Sequence, residues 1–178
     1  METFHAVEAE NARFVERVNR RVRDHADLKA LGRMTMMTSA RNHFAGKVSR
    51  LTRGAVNDEI ELKLPGGDRI VAVITHESTE TLGLRKGADA IALIKASWII
   101  VGVDGEDALR LSARNCLRGK VSQLTPGAVN TEVIIALKGG QSVAAIVTGA
   151  SVKSLGLEVG KPACAIFKAS SVILAVAA

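Results

Sequence analysis

The sequence predicts a mainly β protein in which two small five-stranded barrels follow one another, preceded by an N-terminal α-helix. The first observation is an internal repeat, because Ser39-Ala40-Arg41-Asn42 returns 73 positions later as Ser112-Ala113-Arg114-Asn115. The second is that each copy alternates short apolar runs with glycine-containing turns, a pattern typical of small barrels. The third is an apolar stripe with mostly helical spacing in the residues before the repeat. The spacing exceeds that of solenoid units, so it indicates a duplicated domain.

The repeat runs through both copies without insertion or deletion. Its matched positions include hydrogen-bond donors as well as apolar residues. The pairs are Lys47 and Lys120, Gly54–Asn57 and Gly127–Asn130, Thr75 and Thr148, Ser78 and Ser151, Leu82–Leu84 and Leu155–Leu157, and Lys95 and Lys168. We expect an N-terminal segment over 1–38, a first domain over 39–104 and a second over 105–178, with the polar stretch 104–107 at the boundary. Domains this small need each other, or a second chain, to bury enough apolar surface.

Each copy is expected to form five strands and one short helix. In the first copy the strands are predicted over 44–51, 57–64, 69–75, 88–96 and 98–103. Pro65–Asp68 predicts a tight hairpin turn, and a helix over 76–84 ends at Gly83, which can serve as its C-cap. The second copy repeats this with strands over 117–124, 130–137, 142–148, 163–168 and 171–176. Five strands with a helix between the third and fourth are the layout of an OB-fold-like barrel.

Residues 4–31 contain the apolar stripe and predict one helix. Phe4, Val7, Phe14, Val18 and Val22 recur at mostly three- and four-residue spacings, and charged residues fill the other faces. The stripe is too thin for a helix that stands alone. The sequence leaves two interpretations open: a helix that dimerises or connects to another domain, or a helix that folds back on its own chain.

Composition excludes several classes of protein. The hydrophobic fraction of 47% is too high for a disordered chain, yet no apolar run reaches the length of about 18 residues that a membrane span needs. The charged beginning does not resemble a signal peptide. We therefore expect a cytoplasmic protein without a membrane partner. Cys116 and Cys164 stand outside any metal-binding motif, and we expect both to be core residues of a reducing compartment.

The net charge of +6 is concentrated in the second copy. In residues 112–178, Lys and Arg outnumber Asp and Glu by seven to two, whereas residues 39–111 contain ten of each kind. A basic surface attracts nucleic acid or small anions. A general effect on solubility remains the alternative explanation.

The residues that could recognise an anion lie at predicted strand ends. Thr75 and Ser78 place two hydroxyls at a helix N-terminus, where they can cap the helix or contact an anion. Arg41 and Lys95 supply positive charge, and Ser39 a further hydroxyl. This set can donate hydrogen bonds and contains no carboxylate, which suits a tetrahedral oxyanion. From these residues alone, an anion site and a set of polar residues at the barrel end remain equally open.

These motifs resemble a known family. Ser-Ala-Arg-Asn, Gly-Ala-Val-Asn, Thr-x-x-Ser, Leu-Gly-Leu and Lys-Ala-Ser, each present twice, are similar to the Mop domain of molbindins, a branch of the TOBE family. The tandem pair resembles the di-Mop half of molybdate-responsive transcriptional regulators, without their winged helix-turn-helix. The resemblance implies molybdate or tungstate bound at interfaces between barrels, with Ser-x-Arg and Lys from one barrel and Thr-x-x-Ser from its neighbour. The implied oxyanion-binding residues are Ser39, Arg41, Thr75, Ser78 and Lys95, and Ser112, Arg114, Thr148, Ser151 and Lys168.

The resemblance also implies a function. We expect a protein of molybdenum homeostasis that senses or stores the oxyanion in the cytoplasm, holds the metal only as its oxyanion, and has no catalytic cofactor. A homo-oligomer, dimeric or larger, is expected, and DNA is a partner only if a separate DNA-binding domain exists. Asn42 and Asn57 are expected to fix turns rather than contact ligand.

Two other classes of function fit the sequence less well. A single-stranded nucleic-acid-binding module needs aromatic stacking platforms, but the chain has no Tyr, one Trp and four Phe. An enzyme is not expected, because none of the four His residues is duplicated and no Gly-rich phosphate loop precedes a helix. His76 adjoins Thr75, yet Gly149 takes its place in the second copy, which argues against an essential role.

Overall fold

The computed structural model describes residues 38–103 and 111–177, and each repeat in these segments forms five strands, one α-helix and one 3-10 helix. The first repeat contains β1 (Asn42–Thr52), β2 (Asn57–Lys63), β3 (Arg69–Thr75), α1 (His76–Thr81), β4 (Asp89–Ile94), a 3-10 helix (Ala96–Trp98) and β5 (Ile100–Gly102). The second contains β6 (Asn115–Pro126), β7 (Asn130–Leu137), β8 (Ser142–Thr148), α2 (Gly149–Ser154), β9 (Pro162–Phe167), a 3-10 helix (Ala169–Ser171) and β10 (Ile173–Ala175). The predicted helix over 4–31 and the polar boundary at 104–107 lie outside the described residues.

The prediction of a mainly β fold with two five-stranded barrels is confirmed, but each barrel takes its fifth strand from the other repeat. The strand orders are β10-β4-β1-β2-β3 and β5-β9-β6-β7-β8. All the pairings are antiparallel, with Ile173 opposite Leu93 and Ile100 opposite Ile166. The expectation that each repeat supplies all five strands of its own barrel is therefore wrong.

The 3-10 helix between the fourth and fifth strands explains this exchange. Lys95 and Ile99, which flank the first 3-10 helix, both have extended backbone angles. The chain therefore leaves β4 through an extended residue and a short turn rather than through a tight hairpin. The same conformation recurs at Lys168 and Val172 in the second repeat. Each fifth strand consequently pairs with the neighbouring barrel.

Strand and helix ends differ from the predictions where local geometry decides them. The predicted bounds 69–75, 130–137 and 142–148 agree with β3, β7 and β8. Helix α1 is shorter than expected because Leu82 is its C-cap and Gly83 follows with a φ of 59°, which favours glycine. The predicted fourth strand is shorter as well, because the chain enters the 3-10 helix after Lys95.

One apolar core extends through both barrels, as the small size of the repeats predicted. Phe44 and Phe167 are each 1% exposed and belong to the same continuous cluster of buried residues. Alternation along the strands supplies this cluster. The expectation that both cysteines are core residues is wrong for Cys116, which is exposed between the buried residues Asn115 and Leu117 of β6, whereas Cys164 is buried.

The hairpin turn between β2 and β3 contacts the equivalent turn between β7 and β8. The predicted turn at Pro65–Asp68 is confirmed, with the Gly67 amide donating to the Leu64 carbonyl at 3.0 Å. The Cα of Gly66 lies so close to Gly139, the equivalent residue of the other repeat, that neither position has room for a Cβ. The repeats therefore touch backbone to backbone at this point.

Candidate functional site

Thr75 and Thr148 cap the two short helices, as their sequence context predicted. The Ser78 amide donates to Thr75 Oγ1 at 3.1 Å, and the two hydroxyls of this pair lie 2.7 Å apart. In the second repeat the same amide bond is 3.1 Å long and the hydroxyls of Thr148 and Ser151 are 2.9 Å apart. Each pair uses one hydroxyl hydrogen internally, so one hydroxyl hydrogen per pair remains able to point outward.

Arg41 and Lys95 lie at one end of the first barrel. Asn42 is opposite Ile94 in the β1–β4 pairing, so the residues next to them, Arg41 and Lys95, leave the sheet side by side. Both are exposed. Ser39 is also exposed and precedes Arg41 by two residues. The pairing of Asn115 with Phe167 places Arg114 and Lys168 together in the same way.

Within one repeat, the Thr-x-x-Ser pair lies at the far end of the sheet from the arginine. Thr75 is opposite Asn57, at the start of β2, and Glu59 two residues later is opposite Thr52, the last residue of β1. Arg41 instead precedes the first residue of β1. The strand order of one repeat thus does not bring its five predicted site residues together.

The arginines reach the other repeat instead. Arg41 Nη2 donates to Glu132 Oε1 at 2.6 Å, and Glu132 is opposite Ile146 in β8, the strand that ends at Thr148. The 3-10 helix that follows Lys95 also packs against β8. Arg41 and Lys95 are therefore both next to the barrel that carries Thr148 and Ser151.

The second repeat reproduces this arrangement. Arg114 Nη1 donates to Glu59 Oε2 at 2.9 Å and its Nη2 donates to Glu59 Oε1 at 3.2 Å. The 3-10 helix that follows Lys168 packs against β3, which ends at Thr75. In both repeats, the arginine and lysine thus lie next to the barrel that carries the hydroxyl pair of the other repeat, which divides the predicted residues into two candidate groups.

Two carboxylates outside the predicted set of donors contact its arginines. Glu59 and Glu132 each accept a hydrogen bond from a site arginine, across the boundary between the repeats. Neither glutamate stands out within its own repeat, because each contact crosses the boundary between the repeats. The signal that could have found them is the repeat itself, since these two glutamates are also 73 positions apart.

Asn42 was expected to fix a turn, but it is buried within β1 and joins the two barrels. Its Nδ2 donates to the Ala144 carbonyl at 2.9 Å, and its Oδ1 accepts from the Ala144 amide at 2.7 Å. Asn115 makes the same two bonds with Val71, at 2.8 and 2.7 Å. Each asparagine side chain thus bonds both the backbone N–H and the backbone C=O of one residue in the other barrel, as a neighbouring strand would. These contacts are called the cross-barrel amide pairs below.

Asp58 and His76 form a polar pair that is present in the first repeat alone. The Asp58 side chain is fully buried, and His76 Nδ1 lies 3.1 Å from its carboxylate. Burial raises the pKa of the Asp58 carboxyl, but hydrogen bonds from His76, Thr79 and the Gly54 amide outweigh burial and hold the pKa below its usual value. Thr131 and Gly149 stand at the equivalent positions. His76 therefore stabilises the start of α1 and is not shared by both groups.

Replacing Asp58 with Asn is expected to lower the melting temperature at pH 7, because the native state holds the ionised carboxylate. A depressed native pKa stabilises the fold above the ordinary aspartate value and loses that effect as the pH falls below about 4. The difference in melting temperature between parent and variant should therefore shrink toward pH 3. Circular dichroism melts across this range would measure it, with Asp89→Asn, an exposed partner of Lys47, as the control. A difference independent of pH would contradict the assignment.

Other kinds of site are not evident in the part of the chain that the structure describes. Within residues 38–103 and 111–177, no three His, Cys, Asp or Glu residues are placed to bind a metal ion directly. A surface cleft lined by Val103, Leu155, Gly156, Lys161 and Pro162 contains none of the predicted donors. Among the helices of these segments, none combines the length and the apolar character needed to cross a bilayer.

The repeats match a known family over nearly their whole length. The TOBE domain matches residues 38–101 and again residues 111–174. The chain belongs to the TOBE domain family. The two matched TOBE domains begin just before the two Ser-Ala-Arg-Asn motifs, so the resemblance read from these motifs is confirmed.

Curated relatives of this TOBE protein carry names connected with molybdenum. The chain is 43% identical over 179 residues to the molybdenum transport protein ModE of Azotobacter vinelandii, which covers 97% of this chain and 66% of that protein. It is 47% identical over 148 residues to the molybdenum-pterin-binding protein MopA of Rhodobacter capsulatus, covering 83% of this chain and 56% of that protein. The chain thus spans between about half and two thirds of the length of these relatives.

A solved structure that is similar to this chain is that of the cytoplasmic molybdate-binding protein ModG with molybdate bound. It is 48% identical, has a TM-score of 0.77, and the match covers 79% of this chain and 99% of ModG. These relatives are named as binding or transport proteins, and the ModE protein of Yersinia pestis, 36% identical over 83% of this chain, is named as a transcriptional regulator.

Proposed function

We propose that this tandem TOBE protein binds molybdate or tungstate at two sites between its barrels, as a sensor or store in molybdenum homeostasis. The observation that carries the proposal is the reciprocal placement of Arg41 and Arg114, each against the barrel of the other repeat. The likeness to molybdate-bound ModG, at 48% identity over nearly all of ModG, supports the choice of ligand. The names of the ModE and MopA relatives agree with it.

The proposed sites combine residues from both repeats. One consists of Ser39, Arg41 and Lys95 with Thr148 and Ser151, and the other of Ser112, Arg114 and Lys168 with Thr75 and Ser78. This division follows the cross-repeat contacts of the arginines and of the 3-10 helices. It gives each oxyanion contacts to two barrels, so binding would stabilise their interface.

The donors of each group suit a tetrahedral dianion. The guanidinium of Arg41 can direct two parallel N–H groups at two oxygens of the ligand, and Lys95 adds a second positive charge. The Thr-x-x-Ser pair contributes the one hydroxyl hydrogen that its internal bond leaves available. Arg41 and Lys95 direct two positive charges toward the two negative charges of molybdate, and further hydroxyls satisfy its remaining oxygens.

Oligomerisation and a cytoplasmic location belong to the same proposal. Trp98, Ile100 and Ile173 are 45%, 65% and 53% exposed, and they lie on the first 3-10 helix and on the two exchanged strands. Exposed apolar side chains of this kind favour contact with another copy. ModG, a cytoplasmic protein, supports the same compartment. We propose a binding protein rather than an enzyme, with DNA as a partner only through a separate domain. Single-stranded nucleic acid is not favoured by these relatives.

Isothermal titration of the full chain with molybdate, tungstate and sulfate tests the proposal. Arg41→Ala and Lys95→Ala are each expected to weaken molybdate binding at the first site by about tenfold or more, since a bond to a charged group contributes about 1.5–3 kcal/mol. Arg85→Ala removes the same charge from an exposed position in the α1–β4 connection and should leave binding unchanged. If the parent does not bind molybdate, or if Arg41→Ala and Lys95→Ala both bind like the parent, the proposed site is wrong.

A further inference from the structure

We infer that Glu132 and Glu59 compete with the oxyanion for the site arginines and thereby set its affinity. This inference rests on the proposed function and adds two residues that the donor motifs do not contain. In the structure, each glutamate accepts a hydrogen bond from the arginine of the other repeat. The anion must therefore draw a guanidinium away from a carboxylate, or bind with that carboxylate close by.

The contacts place the carboxylate where a ligand would bind the arginine. Arg114 uses Nη1 and Nη2 to contact both oxygens of Glu59, at 2.9 and 3.2 Å. These two N–H groups are the fork with which arginine binds a tetrahedral oxyanion. One guanidinium edge cannot give both bonds to a carboxylate and to a second anion at once. Arg41 engages Glu132 through one bond of 2.6 Å.

Exposure indicates which partner moves. The glutamate side chains are 22% and 25% exposed and are attached to β7 and β2, which have a neighbouring strand on each side. The arginine side chains are 62% and 54% exposed and come from the residues just before β1 and β6. The arginine is therefore the partner that can swing toward a ligand, while the glutamate stays on its strand. Once released, the glutamate repels the bound anion because both are negatively charged.

The two glutamates differ in what remains after the arginine leaves. Glu59 also accepts a hydrogen bond from Arg50 at 3.1 Å, so it keeps a positive partner. Gln123 occupies the equivalent of Arg50, and its amide donates to Thr125 at 2.9 Å. Once its site arginine has moved away, Glu59 therefore keeps a cationic neighbour, Arg50, whereas Glu132 has the uncharged Gln123 at the equivalent position. Removing the charge of Glu132 should therefore improve binding more than removing that of Glu59.

Isothermal titration with sodium molybdate measures this competition in the full-length chain. Glu132→Gln keeps the shape of the side chain and removes its charge, and it is expected to tighten molybdate binding about three- to tenfold, with a smaller gain for Glu59→Gln. Glu158→Gln is the matched control, because Glu158 is also paired with a cation, Lys161, at 2.9 Å but lies away from the site. We expect it to change the affinity less than twofold.

The combined variant Arg41→Ala with Glu132→Gln separates the possible outcomes. The gain from Glu132→Gln should vanish when Arg41 is absent, because the competition acts through that arginine. If Arg41→Ala weakens binding but Glu132→Gln leaves it unchanged or weaker, competition is ruled out and the proposed site stands. If the parent does not bind molybdate or Arg41→Ala has no effect, the proposed function fails, and this inference fails with it. Melting curves of each variant verify that it is folded.

Discussion

Replacing Asn42 or Asn115 with alanine is expected to lower the free energy of unfolding by about 3 kcal/mol each, since each buried polar group left without a partner costs about 1–3 kcal/mol. Asn42→Ala removes the side-chain partner of both the amide and the carbonyl of Ala144. Both asparagines are nearly inaccessible to water, at 2% and 1% exposure, so water cannot readily replace the lost bonds. Few single substitutions at the contact between the barrels should lower the free energy of unfolding as much.

Because Asn42 and Asn115 each bond a strand of the other barrel, the damage should fall mainly on the contact between the barrels. The Asn42 side chain also donates to the Ile94 carbonyl of its own sheet at 3.1 Å, but the backbone ladders of β1 with β2 and of β6 with β7 do not depend on either side chain. The variants are therefore expected to retain far-ultraviolet circular dichroism at low temperature while unfolding at lower urea concentration. The double variant should lose roughly the sum of the two effects, because the two amide pairs have no residue in common.

Urea denaturation followed by circular dichroism measures these changes. Asn57→Ala is the matched control, since Asn57 is also an asparagine of the repeated motifs but is exposed at the start of β2. It should change the free energy of unfolding by no more than about 0.5 kcal/mol. Equal costs for Asn42→Ala and Asn57→Ala would show that the cross-barrel amide pairs do not stabilise the protein.

The features that the sequence predicted are those set by local physical chemistry. Short unbroken apolar runs located β3 and β8, and in each strand three consecutive residues are buried. Thr75 could be recognised as a cap because its hydroxyl bonds an amide three residues away. Gly83 marked the end of α1 for a similarly local reason, its positive φ.

The exchange of fifth strands could not be predicted, because the two repeats are too similar. β5 reads Ile-Val-Gly and β10 reads Ile-Leu-Ala, and both have the same pattern of an exposed, a buried and a half-buried residue. Both strands therefore place a buried residue at their middle position, so each could pair with the fourth strand of either barrel. The direction taken by the chain depends on the 3-10 helix and its extended flanks, which apolar periodicity does not reveal.

The composition of the candidate site was predicted only in part for the same reason. The repeated arginines, lysines and hydroxyls could be selected because their chemistry suits an anion. Which residues face one another depends on how the barrels are arranged, and neither Arg41 with Glu132 nor Asn42 with Ala144 is close in sequence. A pattern read within each repeat cannot reveal contacts that exist only between repeats.

Replacing Gly66 or Gly139 with alanine is expected to have the other large effect, a loss of about 3 kcal/mol or more, at the upper end of what overpacking usually costs. A Cβ on Gly66 would overlap the Cα of Gly139, and one on Gly139 would overlap the Cα of Gly66. Backbone atoms on both sides cannot move aside as a flexible side chain can. The hairpins must therefore separate, which disturbs the interface between the barrels.

Thermal and urea denaturation of Gly66→Ala and Gly139→Ala test this contact. The two variants should be destabilised to a similar extent, because either methyl group disrupts the same contact between equivalent positions. Gly149→Ala is the matched control, since its Cβ would meet its nearest atom, the Val129 carbonyl oxygen, at an ordinary 3.8 Å. That variant should be neutral or slightly stabilised, because alanine reduces the freedom of the unfolded chain. If Gly66→Ala and Gly139→Ala unfold like Gly149→Ala, the hairpins do not meet in solution.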